Sequence, residues 1–359
     1  MAEVKPFRAV RYGERAGPLE ALVAPPYDVI SAEQREQFRA RSPHNVVHLT
    51  LPDDEAEAGR LWADWRAEGI LSDDEPAYWW LSQDYVGPDG VARTREGIVA
   101  ALRAEPYENR VVLPHERTHR GPKEGRLRLL RETRVQLEPL FFLYEGEPPA
   151  QRPDRDPDLE ADGAKLWQLS VHGTDAVSRA FADRQLLIAD GHHRYETALA
   201  YHEEAGTPES AYVLAVLVSL DDPGLMIFPT HRVFQHVEGD DGSPYKDVNL
   251  ALVDLEGQPQ DEAHGVLYRR QGIELLHGRP GQLDVELAED LEAEGVSYTA
   301  SVDEAIESVS SGEAEGALLV RPTPVEEVYA WAQEGRVMPQ KTTYFYPKLV
   351  SGLLFLPLD

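Results

Sequence analysis

Residues 185–206 read QLLIADGHHRYETALAYHEEAG, and this stretch decides the fold. Gln185 to Ala189 is a short apolar run, as expected of a buried strand. The strand ends in Asp190, Gly191 turns the chain, and Arg194 to Gly206 follows a helical pattern. A loop feeding a helix start presents unpaired backbone N–H groups and the positive end of the helix dipole. Such a corner binds anions, phosphate above all. Gly191 lets the backbone come close to a ligand. Arg194 forks two phosphate oxygens, His192 and His193 donate hydrogen bonds or shuttle protons, and Asp190 holds Mg²⁺ or orients a hydroxyl. The plainer alternative is a strand–helix turn with Asp190 as N-cap and both histidines on the surface. On the phosphate reading, replacing Arg194 by alanine costs far more activity than stability.

Outward from this corner, Ser31 with Gln34 predicts a capped helix ending near Ala40, and residues 54–70 a second. Strands at 77–86 and 94–103, around Gly87-Pro88-Asp89-Gly90, predict a hairpin with a longer loop. Residues 110–135 are polar and basic, with Gly121-Pro122 as a break, and 146–163 read as a surface linker. Further strands are expected at 4–12, 140–144, 166–171, 211–220 and 228–234, and helices at 174–183, 302–309 and 325–331. Alternating elements imply an α/β (α+β) protein with a mixed sheet. The expected division is a main domain over 1–236, a smaller α/β subdomain over 237–335, and a C-terminal loop and strand over 336–359 that return to the main domain. Trp62, Trp65, Trp79, Trp80, Trp167 and Trp331 fall on amphipathic elements and read as core.

Composition narrows the chemistry. The chain has 359 residues, of which 42% are hydrophobic and 28% charged, and a formal net charge of -29. That field repels nucleic acid and anionic membranes, so neither is an expected partner. No cysteine is present, which excludes disulfides, thiolate metal sites and cysteine nucleophiles. With no apolar leader and no apolar run of about 20 residues, a cytoplasmic location is the expectation. The acidity also fits a saline cytoplasm.

Several longer motifs occur in order: Lys5-Pro6-Phe7-Arg8-Ala9, Ala24-Pro25-Pro26-Tyr27-Asp28-Val29-Ile30, Pro114-His115-Glu116 with Thr118, Ala189 to Tyr195, Pro229-Thr230-His231-Arg232, and Met338-Pro339 through Lys348. In these the chain resembles the family known as domain of unknown function 1015, also labelled ParB-like or SpoOJ-like, over nearly its whole length. The Asp-Gly-His-His-Arg segment is similar to the nucleotide-binding turn of the ParB/sulfiredoxin superfamily. The resemblance implies a ParB/sulfiredoxin-like core with Gly191 and Arg194 on phosphate, and ATP, ADP or CTP with Mg²⁺ as cofactors. Absence of cysteine removes sulfiredoxin chemistry, and the charge disfavours a DNA-bound partition protein. The branch that phosphorylates free serine fits best, with Asp190, His192 and His193 flanking the transfer site.

Other constellations extend that reading. His115-Glu116-Arg117-Thr118-His119 matches H-E-x-x-H, the zincin pattern, but Gly121-Pro122 would cut its helix short. A kinase must accept the proton of the attacking hydroxyl, so Glu116 is the candidate base, with His115 as substitute. Lys123 and Arg126 are candidate phosphate ligands, as are His231 and Arg232. Lys341, in a polar–aromatic loop of the type that carries sites, is the candidate for neutralising transferred charge. Tyr27, Asp28 and Tyr344 are candidates for the substrate pocket. The sequence therefore predicts a nucleotide-dependent phosphotransferase acting on a small hydroxyl-bearing metabolite, free serine being nearest, with a homodimer possible. The alternatives are a nucleotide-binding regulatory switch without turnover, and a metal-dependent hydrolase using His115, Glu116 and His119.

Overall fold

A computed structural model of the chain describes residues 1–116, 121–169, 174–238 and 242–359, and the side chains of all of these except 121–123, 174 and 175. The chain divides into two compact units: Met1–Gly87, Ala92–Leu225 and Pro347–Asp359 form the first, and Pro88–Val91 with Met226–Tyr346 the second.

The first unit is built on a nine-stranded mixed sheet. Its strands are β1 (Val4–Lys5), β2 (Trp79–Val86), β3 (Ala92–Arg103), β4 (Val112–Leu113), β5 (Leu140–Tyr144), β6 (Leu159–Ala161), β7 (Ala164–Gln168), β8 (Leu186–Asp190) and β9 (Tyr212–Ser219). They lie in the order β4-β8-β5-β9-β3-β2-β7-β6, with β1 on β3. The long hairpin β2–β3 is in register from Trp79 opposite Val99 to Val86 opposite Ala92. β5 runs parallel to β9 and antiparallel to β8. β8 and β9 are apolar almost without alternation because both faces of the sheet are covered.

Its longer helices are α1 (Ala32–Arg41), α2 (Glu55–Ala67), α3 (Gly121–Thr133), α4 (Thr174–Ala182) and α5 (His192–Ala205). On one face Val177 and Phe181 of α4 and Tyr195 and Ala198 of α5 pack with Ile98, Ala100, Leu140, Phe142 and Ile188. On the other, the C-terminal segment lays Leu349, Val350, Leu353 and Leu354 over Leu81, Val99, Leu214 and Val216, leaving a cavity of about 30 Å³, room for about one water. A separate core joins Trp62 and Trp65 of α2, Leu129 of α3 and Phe355.

Most expected elements form. Ser31 and Gln34 make a reciprocal capping box on α1, and Asp54 caps α2. Five of the six tryptophans are buried; Trp331 is partly exposed and lies under the Arg336 guanidinium. The Gly121-Pro122 break instead starts a helix, α3, since proline fits a first turn, where its missing N–H has no partner to lose. The 146–163 linker contains β6, paired with β7.

The second unit carries β10 (Met226–Phe228), β11 (His231–Glu238), β12 (Ser243–Tyr245), β13 (Glu262–Arg269), β14 (Gly272–Pro280), β15 (Glu292–Thr299), β16 (Gly316–Val320) and β17 (Tyr344–Tyr346). Six of them form an antiparallel sheet, β12-β14-β13-β16-β11-β15, while β10 pairs with β17. Helices α6 (Val248–Glu256) and α7 (Val302–Ser311) cover it, with Ala251, Leu255, Ala305 and Val309 against Val233, Val266, Leu275 and Leu319. Apart from Pro88–Val91, the unit runs from Met226 to Tyr346, so Thr230-His231-Arg232 and Lys341 fall inside it. Among the described residues no helix is long and apolar enough to cross a membrane.

Candidate functional site

The corner between β8 and α5 forms as the sequence predicts, with two features beyond that reading. Gly191 holds φ 99°, in the left-handed region, and the helix start behind it has no side-chain cap. A Cβ there would stand 3.1 Å from Leu140 and 3.2 Å from the Arg194 guanidinium, so glycine is required on both counts. Asp190 is therefore not an N-cap. Its position is set by a bulge: Ile188 lies opposite Phe142, but Asp190 lies opposite Phe141. Directly opposed residues share a face, so the bulge swings Asp190 away from the α4–α5 side.

There the carboxylate meets two cations. Arg194 donates to Asp190 Oδ2 at 2.8 Å, and the Lys348 amine donates to Oδ1. Burial alone would raise the Asp190 pKa, but Lys348 and Arg194 outweigh it and hold the carboxyl well below its ordinary range. The sequence of the corner offers Asp190 as a holder of Mg²⁺. With each oxygen already engaged by a cation, that donor does not fit a divalent ion. Among the described residues no group of three His, Asp or Glu is placed to hold a metal.

Arg194 is the main correction to the phosphate reading. Its side chain is only 10% exposed, and Nη1 donates to the Pro139 carbonyl at 2.6 Å. Burial would lower its pKa, but Glu138 and Asp190 raise it. The guanidinium is thus spent on the fold rather than held open as a fork. Its other flank is a cleft of about 40 Å³ between Arg126, Glu138, Arg194 and Thr197, far too small for a nucleotide.

The Pro-Pro-Tyr-Asp loop and Arg126 join this buttress. Tyr27 donates its backbone N–H to Glu138 at 2.9 Å, and Arg126 stacks 3.9 Å from its ring centroid. Arg126 also donates to the Thr50 carbonyl at 2.7 Å. Burial raises the pKa of Glu138 against the pull of Arg194 and Arg126. Asp28 is exposed. Tyr27 and Arg126 thus brace one another.

The paired imidazoles also differ from expectation. His115 is 1% exposed, and its Nδ1 bonds the Ile188 carbonyl at 2.7 Å. Its backbone N–H donates to His192 Nε2 at 3.4 Å, and the two rings meet edge to face at 4.7 Å. Burial lowers the His115 pKa to about 4 from 6.5 and that of His192 well below the ordinary value. Both are neutral at pH 7 and tied to backbone, so neither is a free proton shuttle, and His115 is no open metal ligand. Glu116, the next residue, is partly buried. His193, the second imidazole, is partly exposed. The Lys123 side chain and His119 lie outside the described residues.

A neutral buried histidine has a pH signature. The unfolded chain binds the extra proton below pH 6.5, whereas folded His115 resists it until about pH 4. Stability is full above 6.5 and falls as pH drops through that window. Urea unfolding is expected to show a loss of about 3 kcal/mol for His115 alone across it; a flat profile from pH 7 to 5 would count against the buried pair.

The remaining candidates belong to the second unit. His231 is 1% exposed, and its Nδ1 accepts from the Val320 N–H at 3.2 Å. Arg232 donates to the Thr230 carbonyl and, at 3.0 Å, to the Lys341 carbonyl. Backbone carbonyls in its own unit thus take both Nη groups expected to reach phosphate. Lys341 is exposed at φ 57°, and Tyr344 lies in β17 near Tyr346, ring centroids 5.8 Å apart. The lysine of this motif that reaches Asp190 is Lys348.

Sequence reasoning missed three residues besides Lys348. Glu138 anchors Tyr27. Gln83 donates to the Lys348 carbonyl at 3.0 Å and accepts from Arg95 at 2.7 Å. Arg95 is 1% exposed. The available signal was strand phase: Arg95 is two and four residues from Gly97 and Val99, on an inward-facing row.

The fold and this corner define a mixed α/β protein with a buried charged cluster at a strand–helix turn. The family described as Protein of unknown function (DUF1015) matches residues 4–297, and the chain belongs to it. No curated protein matches. Among solved structures, the chain is similar to a free serine kinase in complex with AMP, at 15% identity and TM-score 0.36, over 68% of this chain and 89% of that one. A conserved hypothetical protein from Pyrococcus furiosus matches at 17% identity and TM-score 0.35, over 68% and 92%. SbnI with a C-terminal truncation, from Staphylococcus aureus, matches at 12% identity and TM-score 0.34, over 72% and 87%. None of these three names carries the ParB or sulfiredoxin likeness.

Proposed function

We propose that the first unit binds a nucleotide by its phosphates at the Gly191 corner and transfers a phosphoryl group to a small hydroxyl-bearing metabolite, with free serine the nearest acceptor. One observation carries the reading: an uncapped helix start behind a left-handed glycine, with Lys348 brought beside it by Asp190, in a chain of net charge -29. In a chain so acidic, cations gathered at a helix start support the reading of an anion site there.

In this reading the N–H groups at the start of α5 and the Lys348 amine receive the phosphates. Arg194 acts through Asp190, fixing the carboxylate that positions Lys348. The acceptor oxygen attacks phosphorus, the bond to the departing nucleoside phosphate breaks, and Glu116, or His193, takes the hydroxyl proton. Phosphoryl transfer of this kind is mostly positioning and charge stabilisation. The nucleotide is ADP or ATP, with CTP as the third to test.

Thermal unfolding with each nucleotide is the first check. At about 100 times Kd a bound nucleotide stabilises by about 2.7 kcal/mol. Stabilisation by ADP or ATP, followed by phosphorylated product from serine, is the expected result. Stabilisation with no transfer to any hydroxyl acceptor would favour a regulatory switch, and no stabilisation by any nucleotide would remove the proposal.

A further inference from the structure

Arg95 lies on β3 directly opposite Gln83 of β2 and stacks 4.4 Å from the Phe141 ring centroid. One nitrogen, Nη2, donates to Gln83 Oε1 at 2.7 Å. The other two, Nε and Nη1, are buried and have no hydrogen-bond partner among the described residues. No carboxylate there comes within ion-pair distance of it. Burial lowers its pKa to about 10, eased by the more distant Tyr85, Asp222 and Asp190, so it stays charged at neutral pH.

A buried cation with two idle donors is costly, because each has lost its water without gaining a partner. The neighbouring cations show the usual remedy: Arg194 and Lys348 share Asp190. A chain with 64 acidic residues does not lack carboxylates to place beside Arg95. Gln83 is a neutral partner, and its orientation is fixed because its amide N–H donates to the Lys348 carbonyl. Phe141 lies opposite Asp190 across β5 and β8, so Arg95, Lys348 and Asp190 share one face of the sheet.

We infer that Arg95 anchors an oxyanion subsite whose counter-ion is supplied by the ligand, as a phosphate or a carboxylate group. Gln83 is the positioning residue that holds the guanidinium on Phe141 with two donors free. The identity of the ligand rests on the phosphotransferase reading; the oxyanion requirement does not.

The test is calorimetric titration of the full chain with inorganic phosphate, ADP and serine, alongside thermal unfolding without ligand. Arg95→Gln removes a buried unpaired charge, so its ligand-free melting temperature equals or exceeds that of the parent. The same variant weakens the anion that uses the subsite by about 10- to 100-fold. Loss confined to phosphate and ADP assigns a phosphate, and loss confined to serine assigns a carboxylate. Arg95→Gln with lower ligand-free stability and unchanged affinities would overturn the inference in favour of a structural arginine. If that variant does not fold, Gln83→Leu replaces it: it should weaken the same anion, and unchanged affinity overturns the assignment. A parent chain that binds none of the three also overturns it. Arg95-dependent binding without phosphoryl transfer leaves the subsite standing and removes the kinase; transfer indifferent to Arg95 does the reverse.

Discussion

Asp190→Ala is expected to lower unfolding free energy by about 3–5 kcal/mol, the largest stability effect of any single change at the site. Arg194 and Lys348 would lose their shared counter-ion while their side chains remain 10% and 17% exposed. Removing one partner of a buried ion pair leaves an uncompensated charge in a poorly solvated place. Arg194→Ala should also destabilise, because the Pro139 carbonyl loses its 2.6 Å donor. Chemical denaturation of both variants is the measurement. A cost below about 1 kcal/mol for Asp190→Ala, as for an exposed pair, would show the cluster to be solvated. The sequence reading expects Arg194→Ala to cost activity far more than stability; burial against Asp190 and Pro139 predicts a stability cost as well.

Glu116→Gln carries the largest expected effect on activity. A general base contributes about 10²- to 10⁴-fold, and the amide keeps the shape of the side chain while losing the basic oxygen. Transfer to serine should fall by about that much with nucleotide affinity unchanged, since in the proposed mechanism Glu116 takes the acceptor's proton while the corner holds the phosphates. An activity within about twofold of the parent would pass the role to His193. Loss of nucleotide binding instead would place Glu116 among the phosphate contacts.

What the sequence disclosed was local. The change from apolar run to helical pattern at Gly191, the Ser31–Gln34 box and the β2–β3 hairpin are each written within about 25 neighbouring residues, and each forms. The partners that set the chemistry are distant. Lys348 is 158 residues from Asp190, and Tyr27 is 111 from Glu138. No periodicity reports such pairs. The Ala189 bulge matters most here, because one extra residue turns Asp190 to the opposite face and away from the position a simple strand would give it. The paired histidines misled for a related reason: adjacent residues at a helix start diverge by about 100°, so His192 is buried against His115 while His193 remains partly exposed.

On the proposed reading, phosphate seats at the Gly191 corner beside Lys348. A crystal structure of the full chain with ADP tests it most directly. Phosphate oxygens are expected within hydrogen-bond distance of the backbone N–H groups opening α5 and of the Lys348 amine, with the Asp190–Arg194 pair intact. Phosphates seated elsewhere, with that helix start unchanged, would contradict it.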